Sequence, residues 1–91
     1  LSSFFPDNTD FVNNLGSYYL IAKNDYKTAY KYYNKVLKEH PDDAVAIKNG
    51  LVAARKQKNV KQEKKYLELM AKYGSDSERL QAQGRLAALK K

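Results

Sequence analysis

The sequence predicts an all-α protein built from helical hairpins, and three observations lead there. Apolar residues recur at steps of three and four along most of the chain. Three glycines, Gly16, Gly50 and Gly84, stand 34 residues apart. The link between the first two periodic runs, Ala22-Lys23-Asn24-Asp25, leaves no room for a strand.

The elements follow in order. Val12, Leu15, Gly16, Tyr19 and Ala22 step along one face of a first helix. From Tyr26, the positions Tyr26, Ala29, Tyr30, Tyr33, Val36 and Leu37 form an apolar stripe. Lys27, Lys31, Asn34, Lys35 and Lys38 fall opposite, so the second helix is amphipathic. Pro41 ends it, because proline lacks the N–H a helix needs and biases His40 away from helical angles. The stepping resumes in AVAIKNGLVAARKQ, VKQEKKYLELMAKY and SERLQAQGRLAALKK, which makes five helices. In the last of them Ser77 is the expected N-cap, with Glu78 favourable in the first turn.

The interval of 34 also pairs Asp25 with Asn59, Tyr26 with Val60, Tyr32 with Tyr66, Tyr33 with Leu67 and Val36 with Met70. At these residues the chain resembles the tetratricopeptide repeat family. Val12-Asn-Asn-Leu15-Gly16-Ser-Tyr-Tyr19 matches the first half of the family pattern, and Ala29, Tyr33, Val36 and Pro41 the second. The first repeat carries one extra residue near Lys23 and Asn24. In the second, Ile47, Gly50, Leu51, Ala54, Leu67 and Met70 keep the pattern, while Glu63 stands for the small residue and Ser75 for the proline. The resemblance covers residues 6–91. It implies a right-handed solenoid of helical hairpins. Residues 1–8 then read as a remnant or linker of a preceding segment, 9–41 and 42–75 as two repeats, and 76–91 as a C-terminal capping helix. Gly16 is expected to face Ala29, so that the first two helices approach closely. Leu80, Gly84, Ala87 and Ala88 are expected to pack on the second repeat, with Gln81 and Arg85 on the polar outer face of the cap.

Composition narrows the function. The 91 residues make one small domain with a modest core. The chain begins at Leu1 and reads as a processed chain or a piece of a longer one. It lacks cysteine, which removes disulfides and thiolate metal sites and leaves the compartment open. No apolar run approaches the roughly 20 residues that span a bilayer. His40, the only histidine, falls in a helix-terminal position, and Asp42-Asp43 suits the capping of the next helix. Neither builds a catalytic or metal site, and no cofactor is expected.

Function is therefore expected on surfaces. The resemblance implies a concave groove lined by the first helix of each hairpin and used to hold peptides or partner helices. Transferred to this sequence, the groove takes Asn13, Asn14, Ser17 and Ile21, then Lys48, Asn49, Val52 and Arg55, then Arg79, Gln83 and Leu86. It is amide-rich and basic. Amides can bond an extended backbone as donor and acceptor, and the cations favour an acidic peptide. The carboxylate clamp of relatives that grip acidic chaperone tails is not predicted, since only Asn49 matches it outright. The expected function is a non-enzymatic adaptor that binds a protein or peptide. Two alternatives stand beside it. The net charge is +7, and residues 55–65 alone carry +5; Arg55, Lys56, Lys58, Lys61, Lys64 and Lys65 form a basic patch suited to nucleic acid or anionic lipid. The repeats are also compatible with a structural spacer.

Overall fold

The computed structural model describes residues 9–90, and they form five α-helices with no strand among them. We number them α1 (Thr9–Ile21), α2 (Tyr26–Glu39), α3 (Ala44–Gln57), α4 (Val60–Tyr73) and α5 (Asp76–Leu89). The expected remnant at residues 1–8 lies outside the described residues. Each helix packs on its sequence neighbours, and α1 also touches α3. The resulting body is elongated, 47 × 26 × 17 Å.

Polar residues at the helix ends set these boundaries. Asp25, Asp43 and Asn59 each accept a hydrogen bond from a backbone N–H in the first turn of α2, α3 and α4, offsetting donors that a helix start leaves open. His40 closes α2, its backbone N–H reaching the Val36 carbonyl. The fifth helix starts earlier than expected. Its N-cap is Ser75 rather than Ser77, and Ser75 and Glu78 bond each other's backbone reciprocally. Ser-x-x-Glu is the capping-box spacing, which Ser77 lacks.

The core runs along the molecule. Val12 and Leu20 of α1, Ala29, Tyr30, Tyr33, Val36 and Leu37 of α2, and Ala46, Ile47, Leu51, Ala53 and Ala54 of α3 are buried, as are Tyr66, Leu67 and Met70 of α4. Tyr19, Tyr26 and Tyr32 pack against this core partly buried, Tyr19 stacked on Tyr32. Tyr18 and Tyr73 are exposed.

The glycines show what the hairpins require. The atoms nearest to a methyl group placed on Gly16 belong to the ring of Tyr33, Cε1 at 2.7 Å, and on Gly50 to the ring of Tyr66, Cζ at 2.5 Å. Glycine thus opens a notch that a buried tyrosine ring fills. Beside the expected Gly16–Ala29 approach, it is the Tyr33 ring that fills the notch, with Ala29 fully buried four residues before it. The expected pairing of Tyr33 with Leu67 shifts. The notch tyrosines are Tyr33 and Tyr66, 33 residues apart although the N-caps Asp25 and Asn59 are 34 apart, so the second ring comes from one position earlier in its helix.

The last helix is turned relative to expectation. Ala82 is its buried residue, and Leu86 and Leu89 pack partly buried against the core. Leu80 is 71% exposed, and a methyl group on Gly84 would meet nothing within 4 Å. Ala87 and Ala88 are exposed too, whereas Arg85 reaches back to α4. On this face Arg85 Nε donates to Glu63 Oε2 of α4 at 2.9 Å, an ion pair that the observed rotation brings together.

Candidate functional site

A groove runs between α3 and α5, floored by Leu67 and Met70 of α4, with a volume of about 250 Å³. Lys48, Leu51, Val52 and Arg55 come to it from α3, and Glu78, Gln81 and Ala82 from α5. The i, i+3, i+4, i+7 spacing of the α3 residues places them on one helix face. Apolar floor and polar rim thus lie together.

Carboxylates of the protein itself already hold the cations. Lys48 Nζ lies 2.9 Å from Glu78 Oε2. Arg55 Nε and Arg85 Nε reach the same oxygen of Glu63, at 3.3 and 2.9 Å. The Glu63 side chain is only 5% exposed, while both arginines keep about half of their surface in water, 53% and 47%. Burial alone would raise the carboxyl pKa of Glu63, but the hydrogen bonds from Arg85 and Arg55 and the charge of both outweigh it and hold it below the ordinary glutamate range. Glu78 is lowered as well, first by the Ser75 backbone N–H and then by Lys48. The rim is therefore less basic than the sequence alone indicates.

Two of the predicted polar residues, Asn49 and Ser17, belong to an internal chain. Asn49 donates to Ser17 Oγ at 3.2 Å, and Ser17 shares a hydrogen bond of 2.9 Å with the Tyr33 hydroxyl. This chain ties α3 to α1 and secures the first notch tyrosine. Asn13 is buried and donates to Asp43, the N-cap of α3, at 3.1 Å. It joins the hairpins and does not line an open surface, contrary to expectation. Asn14 and Ile21 are exposed on α1, Ile21 at 77%.

Arg79 and Gln83 stand apart from the groove. With Asp76 and Leu80 they line a separate depression on the outward side of α5, because the rotation of that helix turns them away from α3. The expected basic patch is likewise divided. Arg55 belongs to the groove and is tied to Glu63, whereas Lys56, Lys58, Lys61, Lys64 and Lys65 form no ion pair among the described residues. Lys65 instead lies beside Lys38 of α2, on a second trough with Leu37 and Leu69.

Sequence reasoning missed Glu63, Arg85, Glu78 and Gln81. One signal was present, since a charged residue at a position the repeat buries requires counter-charge nearby. Its partners lie 8 residues before it and 22 after it, a separation that helical spacing within one element does not reveal. No known protein family, curated protein or solved structure matches this chain.

Proposed function

We propose that the chain is a tetratricopeptide-type solenoid of helical hairpins that acts as a non-enzymatic interaction module, holding a peptide or protein segment in the groove between α3 and α5. The observation that carries this reading is the combination of an apolar floor, Leu67 and Met70, with exposed Val52 and an ion-paired rim on one side of the body. Grooves with a few placed polar groups over apolar surface are where segments dock with specificity. Because Lys48 and Arg55 are engaged internally, the ligand is held through apolar contact and polar bonds to Gln81 more than by net positive charge.

A display library of random peptides selected on the protein tests this. Peptides recovered should bind at least tenfold more weakly to the Val52→Glu variant and unchanged to a Lys61→Glu/Lys65→Glu variant, both folded by circular dichroism. Recovered peptides that ignore Val52→Glu would sink the groove reading. A second reading rests on the unpaired lysines. Lys27 and Lys61, Lys31 and Lys65, and Lys38 and Lys72 recur at the repeat interval on the exposed sides of α2 and α4. Such rows attract phosphate. Binding of RNA or anionic vesicles that collapses with added salt and with Lys61→Glu/Lys65→Glu would favour it.

A further inference from the structure

We propose that the outward face of α5, centred on Gly84, receives an amphipathic helix of a partner protein that carries a tyrosine in the middle of its apolar face. The proposal concerns a surface that shares only Gln81 with the α3–α5 groove.

Helices α1, α3 and α5 share one register at intervals of 34. In α1 the residues Val12, Asn13, Gly16 and Leu20 are buried, and in α3 so are their counterparts Ala46, Ile47, Gly50 and Ala54. The counterparts in α5 are Leu80, Gln81, Gly84 and Ala88, and all four are exposed. The first two faces are covered by α2 and α4, whose tyrosine rings fill the notches at Gly16 and Gly50. The third notch has the same register and no ring. Glycine on a solvated helix face weakens the helix without gain, and Leu80, 71% exposed beside it, adds apolar surface in contact with water. Both features become favourable once a helix covers them.

The molecule itself shows what fits. In α2 the notch tyrosine, Tyr33, lies four residues after buried Ala29 and three before buried Val36, so the occupant is a helix with small or apolar residues flanking a tyrosine at helical spacing. The hydroxyl finds a polar partner in both worked cases, Ser17 for Tyr33 and Asn34 for Tyr66. Charge separates the occupant from α2. Arg79 borders Leu80 and forms no ion pair among the described residues, and Lys90 is exposed at the helix end, with Asp76 the one carboxylate in the same depression; acidic residues suit the partner where it passes Arg79 and Lys90, where α2 carries lysines. A second copy of this chain is a poor occupant. Its Tyr33 and Tyr66 are fully buried in its own notches, and a net charge of +7 on each copy opposes association.

The probe is a synthetic peptide of residues 25–40 bearing Lys31→Glu, Lys35→Glu and Lys38→Glu, titrated into isotope-labelled protein and followed by amide chemical shifts. Saturable shifts centred on residues 80–88 are expected. Changing Tyr33→Ala in the peptide should weaken binding at least tenfold, and Gly84→Leu in the protein should abolish it without lowering the unfolding midpoint, because that side chain enters open space. Absence of saturable shifts, or binding unchanged by Gly84→Leu, would overturn the proposal. So would a dimer of the protein alone that Gly84→Leu dissolves, since a second copy would then cover the face.

Discussion

Adding one methyl group at Gly50 should unfold the protein more easily, although alanine is the better helix former. The new Cβ would lie 2.5 Å from Tyr66 Cζ and 2.8 Å from Cδ1, closer than carbon atoms approach. The ring cannot step aside cheaply. Tyr66 is fully buried, packs on Tyr30 with centroids 6.2 Å apart, and donates from its hydroxyl to Asn34 Oδ1 at 2.8 Å. Forcing a methyl into such a core costs about 1–3 kcal/mol, and a strained hydroxyl bond adds about 0.5–1.5 kcal/mol. Against this, alanine gains about 1 kcal/mol of helix propensity over glycine. The net loss is about 0.5–3.5 kcal/mol. Gly84→Ala is the matched control, since its Cβ meets nothing and only the propensity gain of about 1 kcal/mol remains. The two variants should therefore differ by at least about 1.5 kcal/mol, or about 6 °C in melting temperature for a domain of this size. Urea unfolding followed by circular dichroism measures both. A Gly50→Ala midpoint at or above the parent's would show that the ring does not occupy the notch.

Three further expectations follow from the same contacts. Ser75→Ala should lose about 1 kcal/mol of stability through the capping box, while Ser77→Ala should leave the urea midpoint nearly unchanged; the reverse order would restore Ser77 as N-cap. Ala29→Leu should cost about 1–3 kcal/mol by overpacking a fully buried site, more than Thr28→Leu, which loses only a hydroxyl bond to Asp25 near the start of α2; equal losses in thermal unfolding would mean that the helix face is misassigned. Glu63 has a folded pKa below the ordinary 4.5, so its contribution is fully present above that value and is lost as pH falls through the depressed one. Glu63→Gln, which cannot ionise, should therefore be less stable than the parent at neutral pH and should narrow the gap as pH drops below about 4.5. A gap that stays constant in denaturation series across that range would remove the two arginines from the account.

Local physics was legible in the sequence because it depends on neighbours in the chain. The step of three and four placed all five helices, Pro41 marked the end of α2, and Asp42-Asp43 marked the cap of α3. The glycine interval exposed the repeated register. Rotation about a helix axis was not legible. Leu80, Gly84, Ala87 and Ala88 form as good an apolar stripe as Ala82, Leu86 and Leu89, and periodicity cannot say which of two stripes meets the body. Tertiary structure decided it: Ala82, Leu86 and Leu89 meet the core, and the same rotation brings Arg85 to the buried carboxylate of Glu63, which Arg55 also reaches. The groove followed the same division. Lys48 and Arg55 could be placed on one face of α3 from spacing alone, but whether their charges were free depended on Glu78 and Glu63, carboxylates on other helices whose approach no interval in the sequence encodes.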